Sequence, residues 1–182
     1  MCALAAALLA GLLTGCVNAP LPVPSPTETP DAAAPLFATD EEALAAAEAA
    51  YAAYLAASDE ILASGGVKPE RLVPFVSPAF FEHEMEGFER AREEGLRYVG
   101  ETAFSRFELQ AHNPNPGPGS TVVSAYVCVN YAGVDVVDAG GLSRTAPNRP
   151  ADLAFVVGFI AGSTADELIL ATKEPWAGTG VC

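Results

Sequence analysis

Few side chains in this sequence have the type and surroundings that proton-transfer chemistry needs. His83 stands among acidic residues on a stretch with helical periodicity, and Asp135 and Asp138 lie at the end of a short β-rich stretch. A histidine beside carboxylates, or a carboxylate in an apolar pocket, can act as a general acid or base. We expect His83 to lie on a solvated helix face and the aspartates to lie at a rim, so the sequence predicts no catalytic residue.

The composition also argues against several other kinds of site. The chain has 23 acidic and 9 basic residues and a formal net charge of −14, which disfavours nucleic acids and anionic lipids as partners. The two histidines, His83 and His112, have no zinc-motif spacing to a cysteine. No glycine-rich phosphate loop or nucleophile elbow occurs. The sequence therefore predicts no metal, no cofactor and no nucleic-acid partner.

A different kind of chemistry is indicated at Cys16, the second of four cysteines. Residues 3–13 are uncharged and apolar, and they are too short to span a bilayer of about 30 Å as a helix. Small residues and the cysteine follow at once, in the order Leu13-Thr14-Gly15-Cys16.

This arrangement resembles the lipobox of bacterial lipoproteins. The resemblance implies a signal peptide over residues 1–15 and a lipidated, acylated N-terminus at Cys16, which would anchor the protein at the extracellular face of the cell membrane. One departure is that no Lys or Arg precedes Cys16, as if Met1 lay inside a longer signal. The alternative is a buried N-terminal helix with an incidental cysteine.

Export would place the remaining cysteines in an oxidising compartment. Cys2 leaves with the signal and Cys16 is acylated, so Cys128 and Cys182 are left over. We predict a disulfide between them, with two free thiols as the alternative. It would close a loop of about 55 residues, for which the chain-entropy model gives roughly 4 kcal/mol.

The chain then divides into a tether and one domain. Residues 17–38 contain six prolines, which exclude helix and sheet and favour a semi-stiff, extended tether, so that 16–38 forms the lipidated linker. Thr39 and Glu42 match a capping box, so the domain should cover 39–182 and begin with a helix over about 40–64.

The helices are predicted to come first in the domain. On the long helix the large apolar residues lie on one stripe, and Glu48, Asp59 and Glu60 on the opposite side. The stripe consists of Leu44, Tyr51, Tyr54, Leu55, Ile61 and Leu62. Gly65-Gly66 ends this helix, and two further helices are predicted over 69–76 and about 78–94, the last with Phe81, Met85 and Phe88 facing the core.

Strands follow in hairpin order after residue 95. Alternating apolar and polar residues predict them, and proline- and glycine-rich loops separate them. The predicted strands are 98–110 (with one irregular step), 121–131, 134–137, 151–161 and 167–172. The residues from Lys173 onward form a glycine-rich tail.

Helices followed by a run of strands indicate an α+β fold with an antiparallel sheet. The order resembles the NTF2-like (cystatin-like) cone, in which a curved sheet wraps a long helix. The chain is also similar to uncharacterised lipoproteins of high-GC Gram-positive bacteria, through the lipobox, the proline-rich tether, Tyr51-x-x-Tyr54-Leu55, Gly65-Gly66 and Trp176…Cys182.

These resemblances imply two functions of different classes. The first is a non-catalytic, membrane-anchored surface domain that binds an envelope protein or a small hydrophobic ligand. The second is an enzyme of the cyclase or isomerase type with an acid/base residue in the cone, although the strands 121–131 and 151–161 carry no acidic residue except Asp152. A third possibility is a structural or spacing lipoprotein without a small-molecule pocket, in which the cone is filled by Phe81, Phe88, Phe104 and Phe155.

Overall fold

The structure is a computed structural model that describes residues 35–164 and 166–182. The predicted signal peptide, the lipidation site Cys16 and most of the tether lie outside these residues.

In the described part of the chain, three helices precede the strands. Helix α1 spans Asp40–Ala63, a 3₁₀ helix spans Pro69–Phe75, and α2 spans Pro78–Glu94. Thr39 caps α1 by accepting the N–H of Glu42 at 3.1 Å, while the Glu42 carboxylate accepts the N–H of Ala38 at 2.9 Å. The Thr39 bond is the one that the capping box predicts, whereas the Glu42 carboxylate reaches one residue further back than predicted, to the residue before the cap.

Within residues 35–164 and 166–182, six strands form two antiparallel sheets. The larger sheet has the order β2–β3–β5–β6, and β1 pairs with β4 in a separate two-stranded sheet. The strands are β1 (Arg97–Val99), β2 (Ala103–His112), β3 (Thr121–Asn130), β4 (Asp135–Val137), β5 (Asp152–Ala161) and β6 (Leu168–Pro175). The α+β class with an antiparallel sheet is therefore confirmed, with three helices and four strands in the main sheet.

The prediction of one strand over 98–110 is wrong. The segment forms β1 and β2, in different sheets, with a break at Gly100. Gly100 has a φ of 96°, and a Cβ atom there would collide with the carbonyl of Gly133. Glycine is therefore required where the chain leaves β1 and enters the main sheet.

The predicted irregular step in this region is a β-bulge. Ser105 pairs with Cys128 and Glu108 with Tyr126, so β2 has one residue more than β3 between these pairs. Arg106 has a φ of 50° at this point. The bulge bends the strand and lets both Phe104 and Phe107 pack on Tyr51 of α1, with ring centroids 5.2 and 5.7 Å away.

The hydrophobic core lies between α1 and the inner face of the main sheet. Of the predicted stripe on α1, Tyr51, Tyr54, Leu55 and Ile61 are buried, and Leu44 and Leu62 pack partly against the core. Phe37 is also buried, so packed structure includes residues just before Thr39. Across the described part of the chain, no helix is long and apolar enough to cross a membrane.

Candidate functional site

The two aspartates proposed as rim residues organise a turn. Asp135 Oδ1 accepts hydrogen bonds from Thr145 Oγ1 at 2.6 Å and from Ser143 Oγ at 2.7 Å, and these bonds lower the pKa of Asp135. Asp138 Oδ2 pairs with the Arg144 guanidinium at 2.7 Å. Both carboxylates are thus held as charged acceptors, which does not suit an acid/base residue.

The two histidines lie apart from each other. His83 is exposed on α2, as predicted, with its ring 6.0 Å from that of Phe80. The side chain of His112 is buried, and its Nδ1 lies 2.9 Å from Asp40 Oδ1 at the start of α1. Within the described residues, no cluster of three or more His, Cys, Asp or Glu side chains has the arrangement of a metal site.

The chemically richest site is a cavity of about 440 Å³, which we call the central pocket. It lies between the C-terminal half of α1, helix α2 and the inner face of the sheet. Its wall includes the polar side chains Tyr54, Asp59, Glu84, Tyr98, Tyr131 and Lys173, with His83, Glu86 and Arg90 also lining it. This volume is in the range of small-molecule sites.

Lys173 reaches the central pocket because of a second β-bulge. Phe159 pairs with Leu170 but its neighbour Gly158 pairs with Thr172, so Ala171 is an extra residue in β6. The extra residue reverses the alternation, and Lys173 pairs with the fully buried Val157 on the inner face. Without the bulge, Lys173 would point to the outer face.

The Lys173 amine lies near two aromatic rings. Its Nζ lies 4.7 Å from the ring centroid of Phe155 and 5.6 Å from that of Tyr54. Among residues 35–164 and 166–182, no carboxylate oxygen lies within 4.0 Å of this nitrogen. Burial lowers the pKa of Lys173, and the charges of Glu84 and Asp59 oppose this effect only in part.

Two carboxylates enter the central pocket from the helices. Glu84 on α2 accepts a hydrogen bond from the Tyr54 hydroxyl at 3.0 Å. Asp59 on α1 accepts two bonds from Thr102, from its backbone N–H at 2.7 Å and its hydroxyl at 2.8 Å. The prediction that Asp59 lies on the side opposite the apolar stripe is wrong, because Asp59 is half-buried and lines the central pocket together with Tyr54 and Leu55 of that stripe. The two hydrogen bonds from Thr102 compensate for this partial burial.

Tyrosine hydroxyls supply the remaining polar atoms. Burial raises the pKa of Tyr54, Tyr98 and Tyr131, the last to about 12, so these groups stay protonated at neutral pH. The hydroxyl of Tyr51 is buried and has no hydrogen-bond partner in the part of the chain that is described. Because the Tyr54 hydroxyl already donates to Glu84, the hydroxyls of Tyr98 and Tyr131 are the tyrosine groups of the central pocket that can donate hydrogen bonds to a ligand oxygen.

The outer face of the sheet has a different character. The structure brings Cys128 of β3 and Cys182 together at disulfide distance, with Cα atoms 5.1 Å apart. The tail thus lies against the outer face, where Val181 is buried and the Trp176 ring packs on Tyr126 at 5.0 Å. This arrangement matches the predicted pairing.

Sequence reasoning missed the central pocket. Acid/base carboxylates are expected on the strands, whereas Asp59 and Glu84 come from helices, and Lys173 belongs to β6 rather than to the predicted tail. One sequence feature could have predicted that Glu84 lies close to the core. Glu84 is three residues after Phe81 and one before Met85, so it lies next to the apolar side of α2.

Comparisons of the chain with protein-family models, with curated proteins and with solved structures found no match. The site must therefore be interpreted from its own chemistry.

Proposed function

We propose that this protein is a lipid-anchored surface protein whose domain binds a small, uncharged and partly apolar ligand in the central pocket. The observation that carries the proposal is the placement of Lys173, which lines a cavity of about 440 Å³ and whose amine lies near two aromatic rings. A buried polar group without a close protein partner is costly, and a ligand that accepts its hydrogen bond would offset that cost.

The charges around the central pocket favour a neutral ligand. Glu84, Asp59 and Glu86 line the cavity together with Lys173 and Arg90, and the chain as a whole carries a charge of −14. An anionic ligand would be repelled by these carboxylates at close range, while a neutral molecule would not. Carbonyl or hydroxyl oxygens on the ligand would suit the amine and the tyrosine hydroxyls.

The proposal includes the NTF2-like cone as the fold family. It is supported by three features: the helices precede the sheet, the longest helix packs on its inner face, and a cavity remains at one end of their interface. The proposal also includes membrane anchoring through Cys16, which the lipobox-like sequence supports. Substituting Cys16→Ser should release the protein from the membrane fraction, and unchanged retention would refute the anchor.

Ligand binding can be tested by native mass spectrometry of the full chain in detergent. A suitable neutral probe is 2-naphthalenemethanol, with 2-naphthoate as its anionic counterpart. We expect the alcohol to bind and Lys173→Met to weaken it, while Lys68→Met, at an exposed lysine, leaves binding unchanged. Binding that is insensitive to Lys173→Met, or absent for both probes and for co-purified small molecules, would contradict the proposal.

A second candidate is an enzyme of the isomerase type, favoured by the contact between Glu84 and Tyr54. A carboxylate in a cavity next to a tyrosine donor is suited to moving a proton beside a carbonyl group. This candidate predicts that the protein accelerates solvent-deuterium exchange at the carbon next to the carbonyl of 2-tetralone. Glu84→Gln should abolish the acceleration, and its absence in the unsubstituted protein would exclude this candidate for such ketones.

A further inference from the structure

The chain contains two lysines, and they lie in opposite environments. Lys68 is exposed at the start of the 3₁₀ helix. Lys173 lies on the inner face of β6, where Nζ contacts the central pocket and the rings of Phe155 and Tyr54. The first residue is exposed at the surface, whereas the second is partly buried beside two aromatic rings.

Two features of the second environment favour the uncharged, nucleophilic form of the amine. Burial penalises the ammonium, and no carboxylate in the described residues lies within the 4.0 Å at which an ion pair would stabilise it. The aromatic rings and the more distant charges of Glu84 and Asp59 act in the opposite direction, but only in part. A desolvated lysine of this kind is the usual nucleophile for carbonyl groups.

The same cavity also holds groups that can move protons. The Tyr54 hydroxyl and the Glu84 carboxylate share a hydrogen bond of 3.0 Å, and Tyr98 and Tyr131 line the wall. Addition of an amine to a carbonyl requires a proton for the oxygen and an acceptor for the proton on nitrogen. The central pocket supplies both kinds of group in a wall that is partly polar and partly apolar.

We propose that Lys173 binds aldehydes or ketones covalently as an imine, an inference that rests on the proposed ligand-binding function of the central pocket. The Nζ lone pair forms a bond to the carbonyl carbon, and the C=O electron pair moves to oxygen, which takes up a proton while the nitrogen gives one up. The hydroxyl of this carbinolamine then takes up a second proton and its C–O bond breaks, so that water leaves as nitrogen loses its remaining proton and forms the C=N bond. One amine and one carbonyl thus give one imine and one water, without oxidant or reductant.

The ligand class follows from the chemistry and size of the site. A carbonyl compound is neutral, which suits the carboxylates around the cavity, and its apolar body would lie against Leu55, Leu62 and Phe88 of the wall. A cavity of about 440 Å³ accommodates a molecule of one or two rings or a medium-length chain.

The test uses the full chain in detergent with 2-naphthaldehyde, followed by reduction with sodium cyanoborohydride. Reduction converts an imine into a stable secondary amine, whose position is read by peptide mass spectrometry. We expect modification at Lys173 to be on the order of tenfold faster than at Lys68, because its amine loses a proton more easily. Lys68→Arg should keep the adduct and Lys173→Met should lose it.

The assignment in the unsubstituted protein needs no variant, so misfolding of Lys173→Met would not obscure the result. Equal modification of both lysines, or none at Lys173, would overturn the proposal. Native mass spectrometry with 2-naphthalenemethanol separates two kinds of failure. If the alcohol binds but the aldehyde leaves no adduct, imine formation fails while ligand binding stands; if neither binds, the proposed function fails as well. Preferred binding of 2-naphthoate through Lys173 would show an ion-pairing lysine and would also overturn the proposal.

Discussion

The two halves of the interface between α1 and the main sheet differ in how they are filled. In the half near the start of α1, Ala43, Ala47 and Tyr51 pack against an apolar sheet surface that includes Val123 and Phe159, all of them fully buried. We call this the closed half. In the other half, Asp59, Glu84 and Lys173 surround the central pocket, and we call this the open half.

The difference shows how one domain separates stability from binding. Close packing in the closed half buries apolar surface, which contributes roughly 25 cal/mol per Å² to folding. The open half gives up part of this gain because it places polar groups and empty volume where side chains could pack. The cost is tolerable because the closed half and the long strands of the sheet hold the open half in place.

The largest expected loss of stability comes from truncating one of two phenylalanines on the inner face of β5. Phe159 is fully buried in the closed half, and Phe155 is partly buried under Lys173 in the open half. Phe159→Ala should lower the free energy of unfolding by about 3–5 kcal/mol, and Phe155→Ala by about half as much, since less surface becomes a cavity. Urea unfolding measures both, and equal losses would contradict the distinction between the halves.

The second effect concerns the outer face of the sheet behind the open half. Cys128 lies on β3 two residues before Asn130, where the strand leads to Tyr131 of the central pocket. Reduction should lower the free energy of unfolding by about 4 kcal/mol in the chain-entropy model. Unfolding with and without reductant measures this loss, and a double Cys128→Ala, Cys182→Ala variant controls for effects of the reductant elsewhere. Full thiol labelling of the untreated native protein would show that no disulfide forms.

The third prediction concerns the close approach between the end of α1 and α2, the two helices that flank the open half. Gly66 has a φ of 74°, and a Cβ atom there would collide with the backbone carbonyl of Phe88 in α2. Gly66→Ala should therefore lower stability by about 2 kcal/mol or more. Gly87→Ala is the matched control, because its Cβ meets no atom within 4 Å and alanine favours a helix by up to about 1 kcal/mol. Equal changes in thermal stability would argue against a close approach at Gly66.

The smallest effect is the pH dependence that Lys173 contributes. Its pKa is lowered in the folded protein from an ordinary value of 10.5, so between the two values the unfolded chain binds more protons. Stability therefore rises with pH in this window. Tyr54 and Tyr131, whose pKa values are raised, act in the opposite direction above about pH 10.

The lysine contribution is isolated by comparing the unsubstituted protein with Lys173→Met from pH 7 to 10. We expect the free energy of unfolding of the unsubstituted protein, minus that of the variant, to increase as the pH rises. Lys68→Met should show no such trend, because Lys68 is exposed. A constant difference between protein and variant across this range would indicate that the folded state does not penalise the ammonium of Lys173.

The closed half could be predicted from sequence more fully than the open half. Helix α1 begins at the expected capping box, and β3 shows the expected alternation, with Val123, Val127 and Val129 fully buried on one face. Both follow from local rules: orphan N–H groups require a cap, and side chains in a strand alternate between faces. Such rules suffice where packing is regular.

The open half depends on interruptions of those rules. The extra residue Ala171 turns Lys173 inward, and the break at Gly100 brings Tyr98 and Thr102 to the pocket on separate segments. A bulge is specified by how two distant strands pair, so single-sequence periodicity does not reveal it. Likewise, Asp59 is stabilised by Thr102, 43 residues away in the chain, a partner that no local pattern identifies.

The chain enters the domain beside the N-terminal end of α1, whereas the central pocket lies along the C-terminal half of this helix. Leu36 donates its N–H to the carbonyl of Pro114, Phe37 is buried, and Asp40 meets His112 at the end of β2. Along α1, Tyr54 lies 14 residues beyond Asp40, or roughly 20 Å at 1.5 Å per residue. A mechanical force applied through the N-terminal segment would therefore act first on the closed half. The central pocket would experience less of this force.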